Sequence, residues 1–147
     1  MSLEKNEAVI RGLYEAYNKH DVALLDNFLA PDYVHHAQKL QGLESVKQYE
    51  AMIYRGFPDL HDTIVDIIAE GDKVWVRVKV TGTHKNEYRG LSPTGKKVIV
   101  TYVGIHRIVN GKVVERWSVY DMMDFYKQLG LIEYTEEGKK LFPENVE

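Results

Sequence analysis

Cysteine is absent from this chain. That excludes disulfide staples and thiolate metal sites and makes the cytoplasm the simplest expected compartment. Apolar runs are short: none reaches the roughly 18 residues of a membrane-spanning helix, and the opening MSLEKNEAVI lacks a signal-peptide apolar core. No cluster of five or more basic residues occurs, and the net charge is -3, which argues against nucleic acid as a partner. The six histidines show neither HxxxH nor HExxH spacing, so no metal site is expected. No serine sits in a GxSxG context, which with the lack of cysteine disfavours a nucleophilic hydrolase. Gly90 to Gly95 lacks the GxxxxGK[ST] pattern and a following helix, so it reads as a strand connection and not a phosphate loop. No repeat, linker or low-complexity stretch divides the 147 residues, a length that suits a single domain, 1–147, with a sizeable core.

What is present is a change of period. Ile10, Leu13, Tyr14 and Tyr17 mark one apolar stripe of a helix over Glu4 to Lys19. Asp21 offers a cap for a second, short helix from Val22 to Leu29, and Pro31 forbids its continuation. Residues 32–36 read as a short extended or turn segment. A third helix, Leu43 to Arg55, carries Val46, Tyr49 or Glu50, Ile53 and Phe57 on its stripe and ends at Gly56 and Pro58. From Leu60 onward side chains alternate. Strands are expected over 60–70, around Val74 to Val80, over 97–109 and over 112–121, with an Asn110-Gly111 hairpin between the last two. Three helices, a meander of about four strands and a short final helix make an α+β fold, helices packed on one face of an antiparallel sheet with a pocket between. The tail from residue 131 to 147 holds five glutamates against two lysines and is expected to be largely solvated.

Lys112 to Gly130 is the stretch where chemistry is sought. Val113, Trp117 and Val119 share one strand face with Asp121, so that face is expected to point at the core. A carboxylate following them inward is desolvated, and its pKa rises toward a useful acid/base range. The same aspartate, at a strand-to-helix junction, also suits an N-cap. A two-residue hairpin loop would set His106 opposite Glu115, Tyr102 opposite Val119 and Val100 opposite Asp121. His106 and Asp121 would then stand about 20 Å apart in a flat sheet, too far for a direct hydrogen bond. His35 and His36 point opposite ways in extended chain, one to the cavity and one to solvent. Tyr14, Tyr17, Tyr49 and Tyr102 are candidate pocket linings, with core packing the simpler role for each.

Several pieces, in this order, carry a resemblance: Tyr14…Asn18-Lys19-His20-Asp21, Asp32-Tyr33-Val34-His35-His36, Gly82-Thr83-His84, Gly90…Pro93-Thr94-Gly95, Arg107…Gly111-Lys112, Glu115-Arg116-Trp117…Asp121 and Gln128-Leu129-Gly130. From about Asn6 to Gly130 the chain resembles the SnoaL-like polyketide cyclases of the NTF2-like superfamily. The resemblance implies a cone-shaped α+β fold with a strongly curved sheet, and a cofactor-free, metal-free intramolecular aldol closure of a small hydrophobic carbonyl compound. It implies Asp121 as the acid/base, His36 and His106 as assisting histidines, and Tyr14, Tyr33, Tyr49, Tyr102 and Trp117 as substrate contacts. It further implies a homo-oligomer, dimer or tetramer, paired across the outer sheet face near Trp75. An isomerase or epoxide hydrolase on the same scaffold, or a non-catalytic binding or dimerisation module, are the alternatives, because this fold hosts many functions.

Overall fold

The computed structural model describes residues 2–142. Helix α1, Leu3–Asn18, starts where Ser2 Oγ accepts a hydrogen bond from the Lys5 N–H at 3.2 Å. Its stripe behaves as the spacing requires: Ile10 and Leu13 are fully buried, and Tyr14 and Tyr17 nearly so. Each such burial contributes roughly 1.5–3 kcal/mol. The second helix is a 3₁₀ turn, Val22–Asn27, capped by Asp21. Strand β1, Leu29–His35, and the two-residue β2, Leu40–Gln41, follow. Helix α2 spans Leu43–Gly56. Four long strands come next: β3 His61–Glu70, β4 Lys73–Thr83, β5 Lys97–Val109 and β6 Lys112–Tyr120. Helices α3, Met122–Gln128, and α4, Glu136–Lys139, close the described chain.

The six strands form one open sheet in the order β2-β1-β6-β5-β4-β3. The meander from β3 to β6 is antiparallel, as expected. Residues 32–36 are more than a turn: β1 runs parallel to β6, so the sheet is mixed. Helices α1 and α2 cover one face, and the main core lies beneath them, built from Ile10, Leu13, Leu25, Tyr33, Val46, Val76 and Val113 among others. A smaller cluster joins Phe57, Tyr88, Val98 and Leu129 under α3. Among the described residues no helix is long and apolar enough to cross a membrane.

Register irregularities interrupt three of the strand pairings, and the one in β6 decides which residues face inward. Asn110 and Gly111 both adopt positive φ, 49° and 77°, the geometry of a tight hairpin turn. The turn pairs Val109 with Lys112 and Ile108 with Val113 as expected. Val114 is then an extra residue. Beyond it Arg107 pairs with Glu115, His106 with Arg116 and Tyr102 with Tyr120. One inserted residue moves every later side chain to the opposite face. Arg116 is buried, whereas Val119 is 72% exposed. The second bulge, at Val65 in β3, shifts the register with β4 in the same way.

Candidate active site

The helix-covered face of the sheet and helices α1, α2 and α3 enclose a cavity with about 140 Å³ open to the centre of a water-sized sphere. That is room for on the order of ten waters. Its walls are mainly apolar or aromatic: Val98, Val100 and Tyr102 from β5, Val80 from β4, Tyr49 and Ile53 from α2, and Phe57, Tyr88 and Phe125 at the α3 end. Glu50 from α2, Asp62 from β3 and Arg116 from β6 bring charge into it.

Each of the three is placed by local structure. Glu50 lies on the α2 stripe with Val46, Ile53 and, just past the helix, Phe57. These positions are four, three and four residues apart, so helical geometry carries the carboxyl inward with its apolar neighbours. Asp62 is fixed through its backbone. Asn18, at the end of α1, donates from Nδ2 to the Asp62 carbonyl at 2.8 Å and accepts from the Asp62 N–H at 2.7 Å. His20 Nε2 lies 2.7 Å from the Leu60 carbonyl, and its ring stacks on Tyr54. Arg116 is turned inward by the Val114 bulge. Its Nε donates to Ser118 Oγ at 2.7 Å and its Nη2 to Tyr120 Oη at 3.0 Å, and the guanidinium carbon lies 5.0 Å from the Tyr102 ring centre.

Burial disfavours ionisation of both carboxyls. It lifts Glu50 to about 7 and Asp62 to about 6, and the nearby Arg116 charge holds both below where burial alone would put them. Burial opposes the Arg116 charge too, but the surrounding tyrosines favour it, and the guanidinium stays cationic. His35 lines the same cavity. Burial, Arg116 and His36 together push it down to about 3, so it is neutral at ordinary pH. His106 is depressed by burial, Arg116 and His35 in turn. Tyr102 donates its hydroxyl to Tyr14 Oη at 2.9 Å, and Tyr14 stands 3.2 Å from His106 Nε2. With its own lone pair occupied by Tyr102, Tyr14 donates to His106. The neutral imidazole therefore accepts at Nε2 and carries its proton on Nδ1, which has no partner.

The residues proposed from the sequence separate into three groups. Tyr17, Tyr49 and Tyr102 line the cavity. Tyr14, Tyr33 and His106 are buried but lie behind its wall, Tyr33 with an unpartnered hydroxyl. Asp121, His36 and Trp117 lie outside, contrary to the expected inward face. The Val114 bulge puts Trp117, Val119 and Asp121 on the outer phase of β6. Asp121 is exposed, and its Oδ1 accepts from the Asp124 N–H at 2.9 Å, the N-cap of α3. His36 stacks on Trp117 with ring centres 4.9 Å apart and donates to Glu115 at 2.8 Å, so His35 is the histidine that turns inward. The expected His106–Glu115 pair is replaced by Arg107–Glu115, one register step away.

Glu50, Asp62 and Arg116 are not among the candidates that the sequence offers. Two of them leave a signal in the sequence. Glu50 occupies an apolar position of the α2 stripe, and Asp62 occupies the inward phase of β3 between Leu60 and Ile64. Arg116 leaves none without knowledge of the bulge.

Comparison with known proteins agrees with this architecture. The family model of the SnoaL-like polyketide cyclases matches residues 7–129. Aklanonic acid methyl ester cyclase DauD of Streptomyces sp. strain C5 is 29% identical over 142 residues, covering 92% of this chain and 88% of that protein. Among solved structures, IdmH of Streptomyces antibioticus, described as a candidate polyketide cyclase, shares 33% identity with a TM-score of 0.74, covering 85% of this chain and 98% of that one. AclR of Streptomyces galilaeus, described as a candidate hydroxylase, shares 29% identity with a TM-score of 0.82, covering 96% and 91%. With most of its length matched and its helix-covered sheet shared with these neighbours, the chain belongs to the SnoaL-like polyketide cyclase family.

Proposed function

We propose that this chain performs a cofactor-free, intramolecular aldol-type ring closure on a small hydrophobic carbonyl compound of the aromatic polyketide ester kind. The observation that carries the reading is two carboxyl groups of near-neutral basicity sharing an apolar-walled cavity with a buried guanidinium. Asp62, the more ionised of the two at neutral pH, takes the proton from a carbon flanked by carbonyls. The enolate carbon attacks a second carbonyl of the same molecule, so one carbon–carbon bond forms as the carbonyl opens to an alkoxide. Glu50, the more protonated, delivers a proton to that alkoxide. Passage of the proton from Asp62 to Glu50 resets the site. Substrate and product are isomers, and nothing else is consumed. Proton transfer from a matched group contributes ~10²–10⁴-fold, and holding the folded substrate supplies orientation. Tyr49 and Tyr102 shape the substrate's path, and His106 acts on it only through Tyr14 and Tyr102.

A second reading keeps the acid/base role at Asp121, favoured by its place between Tyr120 and Met122, both of which line the cavity. One experiment separates the two. Proton-to-deuterium exchange at the acidic carbon of a panel of aromatic β-keto esters is followed by NMR in heavy water. The expected result is enzyme-dependent exchange that falls at least ~100-fold in Asp62→Asn and persists in Asp121→Asn. The reverse pattern moves the role to Asp121. No exchange above the spontaneous rate across the panel overturns proton abstraction, and turnover of an epoxide probe instead would make the cavity a water-activating site.

The outer sheet face is proposed as the contact between copies of this chain. Ile68, Trp75, Ile105 and Trp117 form one row across four strands by register, and Ile68 and Trp75 are 67% and 49% exposed. An exposed apolar row of this kind marks an interaction surface.

A further inference from the structure

Arg116 is the unexplained charge of this fold. It is only 3% exposed, and among the described residues no carboxylate comes within the 4.0 Å of an ion pair. A buried charge without an opposite partner is ordinarily avoided. Its hydrogen bonds, to Ser118 and Tyr120, use two of the five N–H groups of a guanidinium, one on Nε and one on Nη2. Three remain, two on Nη1 and one on Nη2, and one from each nitrogen makes the end-on fork that fits two parallel oxygens. The side chain lines the cavity, and Glu50 and Asp62 line the same cavity without touching it. The guanidinium and the two carboxyls thus share one space without pairing across it.

We infer that Arg116 receives a pair of conjugated oxygens on the ligand, and that the cavity selects planar aromatic compounds bearing a carboxylate or the enolate of a 1,3-dicarbonyl group. The inference deepens the cyclase reading, since the enolate formed by proton abstraction presents two such oxygens on one side. Nothing bonded to Arg116 competes for the fork: Ser118 and Tyr120 hold its other edge, and Tyr102 supports its face. A purely structural arginine would instead have its fork closed by a carboxylate, and two carboxyls stand in the same cavity without doing so.

The surroundings predict a pH dependence for anion binding. The titratable groups facing Arg116 are Glu50 from α2, Asp62 from β3, Tyr33 and His35 from β1, His106 and Tyr102 from β5, Tyr120 from β6, and Tyr14 and Tyr17 from α1. The two histidines stay neutral because burial depresses them, and Tyr14, Tyr17 and Tyr102 stay neutral because burial raises them. The two carboxyls do change charge between about pH 5.5 and pH 8, and each repels an anion once ionised. Arg89 also lines the cavity, where it is exposed and leans on the Tyr49 and Tyr88 rings.

The test is equilibrium binding of 2-naphthoate and its neutral counterpart 2-naphthamide to the full chain, followed calorimetrically at about pH 5.5 and about pH 8. The expected result is naphthoate bound at least about tenfold more tightly than the amide at the lower pH, with the advantage shrinking as the carboxyls ionise. Arg116→Met, checked for folding by circular dichroism, should erase the preference. Arg116→Lys, which keeps charge but loses the fork, should weaken it, and Arg11→Ala, at an exposed position of α1 away from the cavity, should leave it intact. Equal affinities in the wild type, absence of naphthoate binding, or a preference that survives in folded Arg116→Met overturns the inference. The wild-type ratio alone decides if the methionine variant does not fold. Because binding and not turnover is read, a chain that prefers naphthoate yet exchanges no keto ester proton would refute the cyclase reading and keep the anion site.

Discussion

The buried titratable groups make a quantitative demand on stability. Glu50 is lifted to about 7 from 4.5 and Asp62 to about 6 from 3.8. The folded chain therefore holds these protons more tightly than the unfolded chain does. Their contribution is complete below the unfolded values and is lost as pH rises through the folded ones. His35, at about 3, and His106, held down by burial, Arg116 and His35, run the other way. The unfolded chain accepts their protons near 6.5 and the folded chain refuses them, so their contribution is complete above that value and is eroded as pH falls. From pH 5 to pH 8 the carboxyls lose roughly 2.5 kcal/mol (Glu50) and 1.5 kcal/mol (Asp62), while His35 returns roughly 2 kcal/mol and His106 acts in the same direction as His35. The two sides oppose each other. Asp59 and Glu115, held low by hydrogen bonds from Thr83 and from His36 and Arg107, titrate below this window. Wild-type stability, measured by urea unfolding at pH 5, 6.5 and 8, should thus fall by less than the roughly 4 kcal/mol that the carboxyls alone would lose. Glu50→Gln removes the larger carboxyl contribution and should gain roughly 2 kcal/mol relative to wild type between pH 5 and 8. His106→Gln removes part of the opposing contribution and should lose stability relative to wild type over the same range. Cavity water screens the carboxyls, which trims these magnitudes but not their signs. A Glu50→Gln profile parallel to wild type would refute the claim that this carboxyl is buried with a raised pKa.

Two further outcomes follow from the placement of outward residues. Asp121→Ala should lower stability by about 1 kcal/mol through loss of the α3 cap, while Asp121→Asn, itself a good cap, should change it by a few tenths; thermal melts showing equal losses would contradict the capping role. Trp75→Glu should convert an oligomer into monomer in light scattering without loss of fold, and a wild type that is itself monomeric would reject the outer-face contact.

Local periodicity made most of the framework legible. The α1 stripe, the α2 stripe, the β3-to-β6 meander and the Asn110-Gly111 turn all rest on contacts between residues near in sequence, which composition and spacing encode directly. The missing strand shows the limit. β1 begins with two buried residues, then exposes Pro31 and Asp32 before Tyr33 turns inward, so its alternation is broken. Its partner is β6, some eighty residues away, and the pairing is parallel. No local pattern announces such a ladder. The second helix is a 3₁₀ segment of only six residues between its Asp21 cap and Phe28, the short length at which that tighter form is common, and Leu25 anchors it in the core.

The site was less legible for a related reason. A strand's alternation specifies two faces, but an inserted residue exchanges them, and the exchange is decided by pairing rather than by the strand's own side chains. With Val114 in register, Trp117, Val119 and Asp121 would enter the core, and Arg116, Ser118 and Tyr120 would meet solvent. The apolar content of the two sets even favours that arrangement. What opposes it is the rest of the cavity. Arg116 inward finds Ser118 and Tyr120 on its own strand, the Tyr102 ring beside it and two carboxyls across the space. Trp117 outward finds the His36 ring. The bulge thus exchanges an apolar face for a polar one where a polar face has partners. Local preference gives way here to a charged interior, and the positions that violate apolar patterning, Glu50 on its helix, Asp62 on its strand and Arg116 after the bulge, are the three that meet in one cavity. A fold that departs from its own pattern at three distant points, all facing the same space, is better explained by what that space must bind than by what the fold needs to stand.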